Sequence, residues 1–324
     1  MKIVVSEDTN KFYRQKLLSI DPLMQIFSIN PDDPTNPSWE DIPDSDAFFM
    51  SYQFLFAARD SKEIFSPLLK LSKRMKFIQS GFAGMDAPVL QAILKEKKIL
   101  IANASSIYAI PIAHYVFSQI LRWNKRIDQH IEFQKSKSWT PFGGDGELTN
   151  KSLVILGYGG IGREVAKIGK AFGMKVTGIR RNPSNDEYAD EVLGVNQFEA
   201  LLPLLDYLVL ALPDSSETRN IINNEVLEKL NNSAMLLNVG RGSAINEQDL
   251  SDALNNEEIA SAALDTTKTE PLEQSSPLWT AKNCFISAHD SAHSLLSIPR
   301  AFELFYENLY NIKNNIPIKN LYKK

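Results

Sequence analysis

The chain holds a single cysteine, Cys284, among 324 residues, so no disulfide can form within it. That suits a reducing compartment, and the expected location is the cytoplasm. No apolar run approaches the roughly 18 residues that a membrane-spanning helix needs. The N-terminal Met-Lys-Ile-Val-Val turns polar before it could form the apolar core of a signal peptide. Neither sign of charge dominates, with 35 basic residues against 39 acidic ones and a net charge of -4. With no strongly basic half, no nucleic-acid partner is expected. Internal repeats and low-complexity tracts are missing too, and no metal site is expected.

What is present is an ordinary globular composition, 44% hydrophobic. At roughly 150 residues per domain the length predicts two domains. Short apolar runs alternate with amphipathic stretches. Strands are predicted at Lys2–Val5, Ala47–Ser51, Lys76–Gln79 and Ile99–Ala102. A second set follows at Ser152–Leu156, Lys175–Ile179, Tyr207–Ala211, Ala234–Val239, Ser261–Leu264 and Cys284–Ser287. This spacing predicts βαβ units and parallel sheets. One long helix is predicted over Ile107–His130, with Pro111 tolerated in its first turns. A breaker-rich loop beginning at Trp139 follows it, and an amphipathic helix is predicted over Leu295–Asn314. The layout expected is discontinuous: residues 1–103 with 291–324 form one α/β domain, and 104–290 form an inserted dinucleotide-binding domain.

Residues 157–162 read Gly-Tyr-Gly-Gly-Ile-Gly, between an apolar run and a helical stretch. In that context Gly157 makes the tight turn, Gly159 lets the backbone approach a pyrophosphate, and Gly162 lets helix and strand pack closely. The helix start at Gly160-Ile161 offers free N–H groups to the phosphates. The alternative, a plain glycine-rich turn, does not require strand, motif and helix in this order. About 20 residues past such a motif an acidic residue would hold a ribose 2′-hydroxyl. Here Arg180 stands 23 residues after Gly157, with Arg181 beside it. A guanidinium pairs with a 2′-phosphate and no carboxylate is there to repel one, so NADP is expected, with NAD possible. The alternative is two solvated arginines in a surface loop.

Three further segments stand out: Leu-Leu-Asn-Val-Gly-Arg-Gly-Ser at 236–243, Ala-Leu-Asp-Thr-Thr-Lys-Thr-Glu-Pro-Leu at 263–272, and Ile-Ser-Ala-His at 286–289. Together with the dinucleotide motif they resemble the D-isomer-specific 2-hydroxyacid dehydrogenase family, glyoxylate/hydroxypyruvate reductase-like, over nearly the whole chain. The resemblance implies two Rossmann-like doubly wound parallel-sheet domains, the substrate domain being flavodoxin-like. It implies a triad of Arg241, Glu270 and His289, with Arg241 gripping the substrate carboxylate and His289 donating a proton. It places Asp265 near the nicotinamide amide, and Val239, Gly240, Leu212, Pro213 and Thr218 along the cofactor. It makes Gln79-Ser-Gly-Phe-Ala-Gly-Met-Asp86 a substrate loop, in which Phe82, Ala83 and Gly84 meet the carboxylate. The chemistry is coherent: hydride delivered to a ketone carbon leaves charge on oxygen, which a protonated imidazole quenches. A planar guanidinium suits a 2-keto acid.

Beyond Arg180 in place of the cofactor acid, three departures from the family pattern are visible. Ile112-Ala113-His114 lacks the glutamate of an Ala-Glu-His stretch, Ala288 stands where proline precedes the histidine, and Thr266-Thr-Lys replaces a Val-Phe pattern. His114 reads as packing or interface, His293 as a neighbour, Cys284 as a small core hydrophobe, and Trp139 as packing or pocket lining. The expectation is an enzyme that reduces a small 2-keto acid, and a homodimer by resemblance. A nucleotide-sensing, corepressor-like binding protein on the same fold stays open, because the triad is compatible with both.

Overall fold

The computed structural model describes residues 1–35, 37–141 and 146–322. Phe142, in the loop after Trp139, lies outside the described residues. The first strands and helices are β1 (Lys2–Ser6), α1 (Glu7–Ile20), β2 (Gln25–Ile29), β3 (Ser45–Met50), α2 (Tyr52–Asp60), α3 (Lys62–Ser72), β4 (Met75–Ser80), α4 (Pro88–Leu94) and β5 (Leu100–Ala102). Then come α5 (Ser105–Asn124), α6 (Ile127–Lys135), β6 (Ser152–Leu156), α7 (Gly160–Ala171), β7 (Lys175–Ile179) and β8 (Glu191–Leu193). β9 (Tyr207–Leu210), α8 (Asn224–Leu227), β10 (Met235–Asn238), α9 (Glu247–Asn255), β11 (Ser261–Leu264), β12 (Cys284–Ile286) and α10 (Ser297–Lys313) complete the order. By contact density the chain divides into Met1–Tyr108 with Ser294 onward, and Ala109–His293.

The first unit is a five-stranded parallel sheet ordered β2-β1-β3-β4-β5, the flavodoxin-like order. Both faces are covered, which is why β1 and β3 read as unbroken apolar runs. Ile3, Val5 and Phe49 point to one face, where Phe302 and Phe305 of α10 pack. Phe49 and Phe305 stack with centroids 5.0 Å apart. Val4, Phe48 and Met50 point to the other face, against Leu55 and Leu68.

The second unit is a seven-stranded parallel sheet ordered β12-β11-β10-β9-β6-β7-β8. Its order reverses between β6 and β9, and ligands of open α/β sheets sit outside the carboxyl ends of the strands at such a switch. Leu208, Leu210, Leu236 and Leu264 fill one core layer. Cys284 is partly buried against that layer, and burial pushes its thiol up to about 12.

Two short strands carry no clear sequence signal. β2 and the three-residue β8 are sheet edges, half-covered and only partly apolar. The single helix expected over Ile107–His130 is two helices. Arg126 adopts φ 52°, which ends α5 and starts α6 on a new axis. No breaker residue marks the spot. α6 buries none of its residues, so no apolar stripe was there to hold one helix straight through. Among the described residues no helix is long and apolar enough to cross a membrane.

Candidate active site

At the end of β6 the chain must turn sharply into α7. Gly157 does so at φ +102°, and a Cβ there would lie 2.6 Å from the Ala211 carbonyl oxygen. Its N–H and that of Tyr158 both donate to the Ile179 carbonyl, at 3.0 and 2.9 Å. Gly162 is confined as well, with a Cβ position 2.9 Å from the Gly157 oxygen. Gly159 and Gly160 differ: a Cβ on either would meet nothing within 4 Å. Their exposed backbone borders open space at the start of α7, where the first-turn N–H groups have no intrahelical acceptor. A pyrophosphate would be received there by those N–H groups and the helix dipole. Tyr158 folds its ring onto Gly178 and donates to Asp186 at 3.1 Å, and burial raises its hydroxyl above the ordinary range.

Arg180 and Arg181 follow β7, both exposed, and neither side chain has an ion pair among the described residues. Arg163 on α7 is already committed to Asp186 and Glu187, each at 2.8 Å. The two arginines after β7 thus differ from Arg163 in having no carboxylate partner among the described residues.

After β9, Thr218 anchors its loop rather than facing outward: its hydroxyl donates to the Pro213 carbonyl at 2.7 Å and accepts from the Ser215 N–H at 3.0 Å. Leu212 is half-buried and Pro213 exposed. After β10, a Cβ on Gly240 would lie 2.6 Å from the backbone of Leu212, so the Val239-Gly240 turn presses on that loop. Asn238, buried completely, accepts from the Gly240 N–H and donates to the Arg241 carbonyl, both at 3.1 Å. It fixes the turn that presents Arg241, whose Nη1 donates to the Gly240 carbonyl at 2.9 Å. A Cβ on Gly242 would lie 1.9 Å from the backbone carbon of Thr267, which brings the Arg241 turn onto the loop after β11.

That loop carries Glu270. Its Oε1 accepts from the Thr267 N–H at 3.2 Å, and its Oε2 lies 2.8 Å from His289 Nδ1. His289 takes φ 55°, in the left-handed region. Its ring is 42% exposed, and its Nε2 has no hydrogen-bond partner among the described residues. An Nδ1–H donated to the carboxylate leaves Nε2 as the atom that exchanges a proton. Asp265 follows β11 directly. Its carboxylate is turned inward, 2% exposed, and receives donors from Ser287, Asp290 and Ser291. Thr266, whose place in the pattern had no account, is buried with its hydroxyl unpartnered among the described residues. His114 is exposed rather than packed, His293 is exposed, and Trp139 is fully exposed, so it packs on none of the described residues.

In the first unit the predicted substrate loop leaves β4 at Gly81. The Phe82 N–H donates to Ser80 Oγ at 3.0 Å, and the Phe82 carbonyl accepts from the Ala104 N–H at 2.8 Å. The Phe82 ring meets Phe56 edge-on at 5.3 Å. Ala83 and Gly84 are half-exposed.

Residues 117–291 match the model of the D-isomer specific 2-hydroxyacid dehydrogenase NAD binding domain. The chain belongs to that family. As a family member it is an NAD(P)-dependent dehydrogenase. It is 31% identical over 236 residues to the hydroxypyruvate reductase of Blautia hydrogenotrophica, covering 69% of this chain and 71% of that one. A D-isomer specific 2-hydroxyacid dehydrogenase family protein from Aeromonas salmonicida has a similar solved structure, with a TM-score of 0.80 at 27% identity, covering 99% and 98% of the two chains. The fold is also that of an NADPH-dependent glyoxylate/hydroxypyruvate reductase from Sinorhizobium meliloti, solved with NADP and sulfate, at a TM-score of 0.76 and 20% identity over 99% and 98% of the chains.

Sequence reasoning did not single out Tyr115, Asn238, Ser287 or Ser291. Asn238, Ser287 and Ser291 are small or medium polar residues, and Tyr115 is an aromatic on a helix, all in an apolar or loop context. Only the hydrogen bonds that folding gives them reveal a role.

Proposed function

We propose that this dehydrogenase reduces a small 2-keto acid, of the glyoxylate or hydroxypyruvate type, to the D-2-hydroxy acid, with NADPH preferred. The observation that carries the reading is the His289–Glu270 pair, 2.8 Å apart with Nε2 left without a partner in the described chain. In this reading the Ala109–His293 unit binds dinucleotide and the Met1–Tyr108 unit, with the C-terminal helix, binds substrate.

Gly157, Gly159, Gly160, Ile161 and Gly162 would receive the pyrophosphate. Arg180 and Arg181 would hold a 2′-phosphate. Leu212, Pro213, Val239 and Gly240 would line the ribose and nicotinamide side, with Thr218 setting the 213–218 loop. The bound nicotinamide supplies a hydride. Arg241 would grip the keto acid through its carboxylate. In the first unit, the backbone of Phe82, Ala83 and Gly84 is the expected substrate loop. As the carbonyl carbon gains the hydride, the carbonyl oxygen takes the proton from His289 Nε2, and Glu270 holds the imidazolium while it is charged. In the reverse direction His289 starts neutral and acts as base.

Glyoxylate, hydroxypyruvate, pyruvate and a bulkier keto acid, each assayed with NADPH and NADH, test this directly. At least one is expected to turn over, faster with NADPH. Tight NADPH binding without turnover of any of a broad keto-acid panel rejects the enzyme reading in favour of a nucleotide-sensing protein. The same reading expects a cytoplasmic homodimer. α6, which buries none of its residues, and the fully exposed Trp139 support a second copy, and sedimentation velocity would check it.

A further inference from the structure

β7 ends at Ile179 and β8 begins at Glu191, and residues 180–190 between them form no helix or strand. Arg180 and Arg181 open this loop, and residues 180–185 are all exposed. An exposed arc holds a charge in place only if both of its ends are fastened. The near end is fastened by backbone: the Arg180 N–H donates to the Leu193 carbonyl at 3.1 Å, and the Ile179 carbonyl accepts from the Tyr158 N–H at 2.9 Å. The far end is fastened at Asp186. Asp186 Oδ1 accepts from the Tyr158 hydroxyl at 3.1 Å and from the Tyr188 N–H at 3.0 Å. Its Oδ2 accepts from Arg163 Nε at 2.8 Å. Arg163 also holds Glu187 at 2.8 Å and lies over the Tyr188 ring, 4.6 Å from its centroid.

Tyr158 therefore grips both ends of the arc, one with its backbone and one with its hydroxyl. It stands between Gly157 and Gly159, inside the turn expected to receive a pyrophosphate. Its side chain is 3% exposed and packs on the end of β7, where a Cβ on Gly178 would collide with the ring. Gly178 clears that space two residues before Arg180. The hydroxyl keeps its proton for donation, since burial raises it above the usual phenol range. Asp186 brings a negative charge into a loop meant for a phosphate, and Arg163, paired with it, offsets that charge. A 2′-phosphate and a pyrophosphate hang on the same adenosine, so the ribose limits their separation. A protein that holds both must set the distance between its two anion-binding segments, and the Tyr158–Asp186 bond joins those segments directly.

We propose that Tyr158 and Asp186 are positioning residues for cofactor choice. Their bond sets the 180–185 arc, and with it Arg180 and Arg181, at the spacing from the Gly157–Gly162 turn that a 2′-phosphorylated dinucleotide requires. The proposal rests on the NADPH reading above and adds to it what aims the two arginines.

The test uses Tyr158→Phe and Asp186→Asn in the full-length protein. Each is titrated with NADPH and NADH by fluorescence, and with 2′,5′-ADP and 5′-AMP by calorimetry. Tyr158→Phe removes one hydroxyl and keeps the packed ring. It is expected to weaken NADPH and 2′,5′-ADP binding by about 10-fold, the scale of one hydrogen bond to a charged group, with NADH and 5′-AMP binding retained. Asp186→Asn disturbs all three ties and should lose at least as much, with the same selectivity. Hydrogen–deuterium exchange should rise in the peptide spanning 180–190 in both variants. A merely structural role would weaken all four ligands together, and that pattern would overturn the proposal. Unchanged NADPH affinity and unchanged exchange at 180–190 would overturn it as well. If the wild-type protein binds NADPH no more tightly than NADH, the cofactor reading itself fails and takes the proposal with it. A wild type that prefers NADPH, with the same preference in both variants, fails the proposal alone.

Discussion

Two loops of the second unit prepare for a ligand in opposite ways. The turn after β6 does so by omission: Gly157 and Gly162 are forced by contacts 2.6 and 2.9 Å from where a Cβ would stand, and Gly159 and Gly160 leave space empty. The turn after β12 does so by saturation, filling one buried carboxylate with donors from three residues. The first kind of loop is set by volume and backbone sterics. The second is set by the count of hydrogen bonds. The difference suits the tasks proposed for them. A pyrophosphate needs room and N–H groups, whereas a proton donor needs a fixed direction, and a partly satisfied polar network fixes none.

The comparison can be pressed hardest at His289. His289→Ala should lower kcat by about 10²- to 10⁴-fold, the usual worth of a positioned acid–base group, with NADPH affinity retained. Turnover near the wild-type level would mean that another group supplies the proton. The volume-set loop is expected to split its two kinds of glycine. Gly157→Ala places a side chain at φ +102° against the Ala211 carbonyl, and should cost about 1–3 kcal/mol of stability, read as a lower midpoint of denaturant unfolding. Gly159→Ala should change stability by no more than about 0.5 kcal/mol yet weaken NADPH binding. Equal stability losses at the two positions would refute the division between them. The last effect expected concerns selectivity. Arg180→Asp should move the NADPH/NADH ratio of kcat/KM toward NADH by about 10- to 100-fold, the value of a charge-assisted bond. An unchanged ratio would assign Arg180 to solvent.

Much of this architecture was legible because burial on both faces writes strands as apolar runs. Most predicted strands of the central sheet positions lie within a residue or two of those observed, as with Ser152–Leu156 and Ser261–Leu264. Edges were harder: β2 and β8 pair on one side only and need less apolar sequence. The break at Arg126 was invisible, because a left-handed arginine carries no sequence mark comparable to glycine. The pairing of Glu270 with His289 was legible because both sit in ordered motifs, and the two residues, 19 positions apart, do meet.

The sequence by itself determined the two parallel-sheet domains, the glycines at 157–162, the arginines where an acid would bind ribose, and the family. These depend on residue type at fixed spacing, which a chain carries unfolded. Tertiary structure alone decided which groups Asp265 holds. It is 2% exposed and accepts from Ser287, Asp290 and Ser291. A hydrogen bond needs both partners in place, and residues more than twenty positions apart acquire that only by folding.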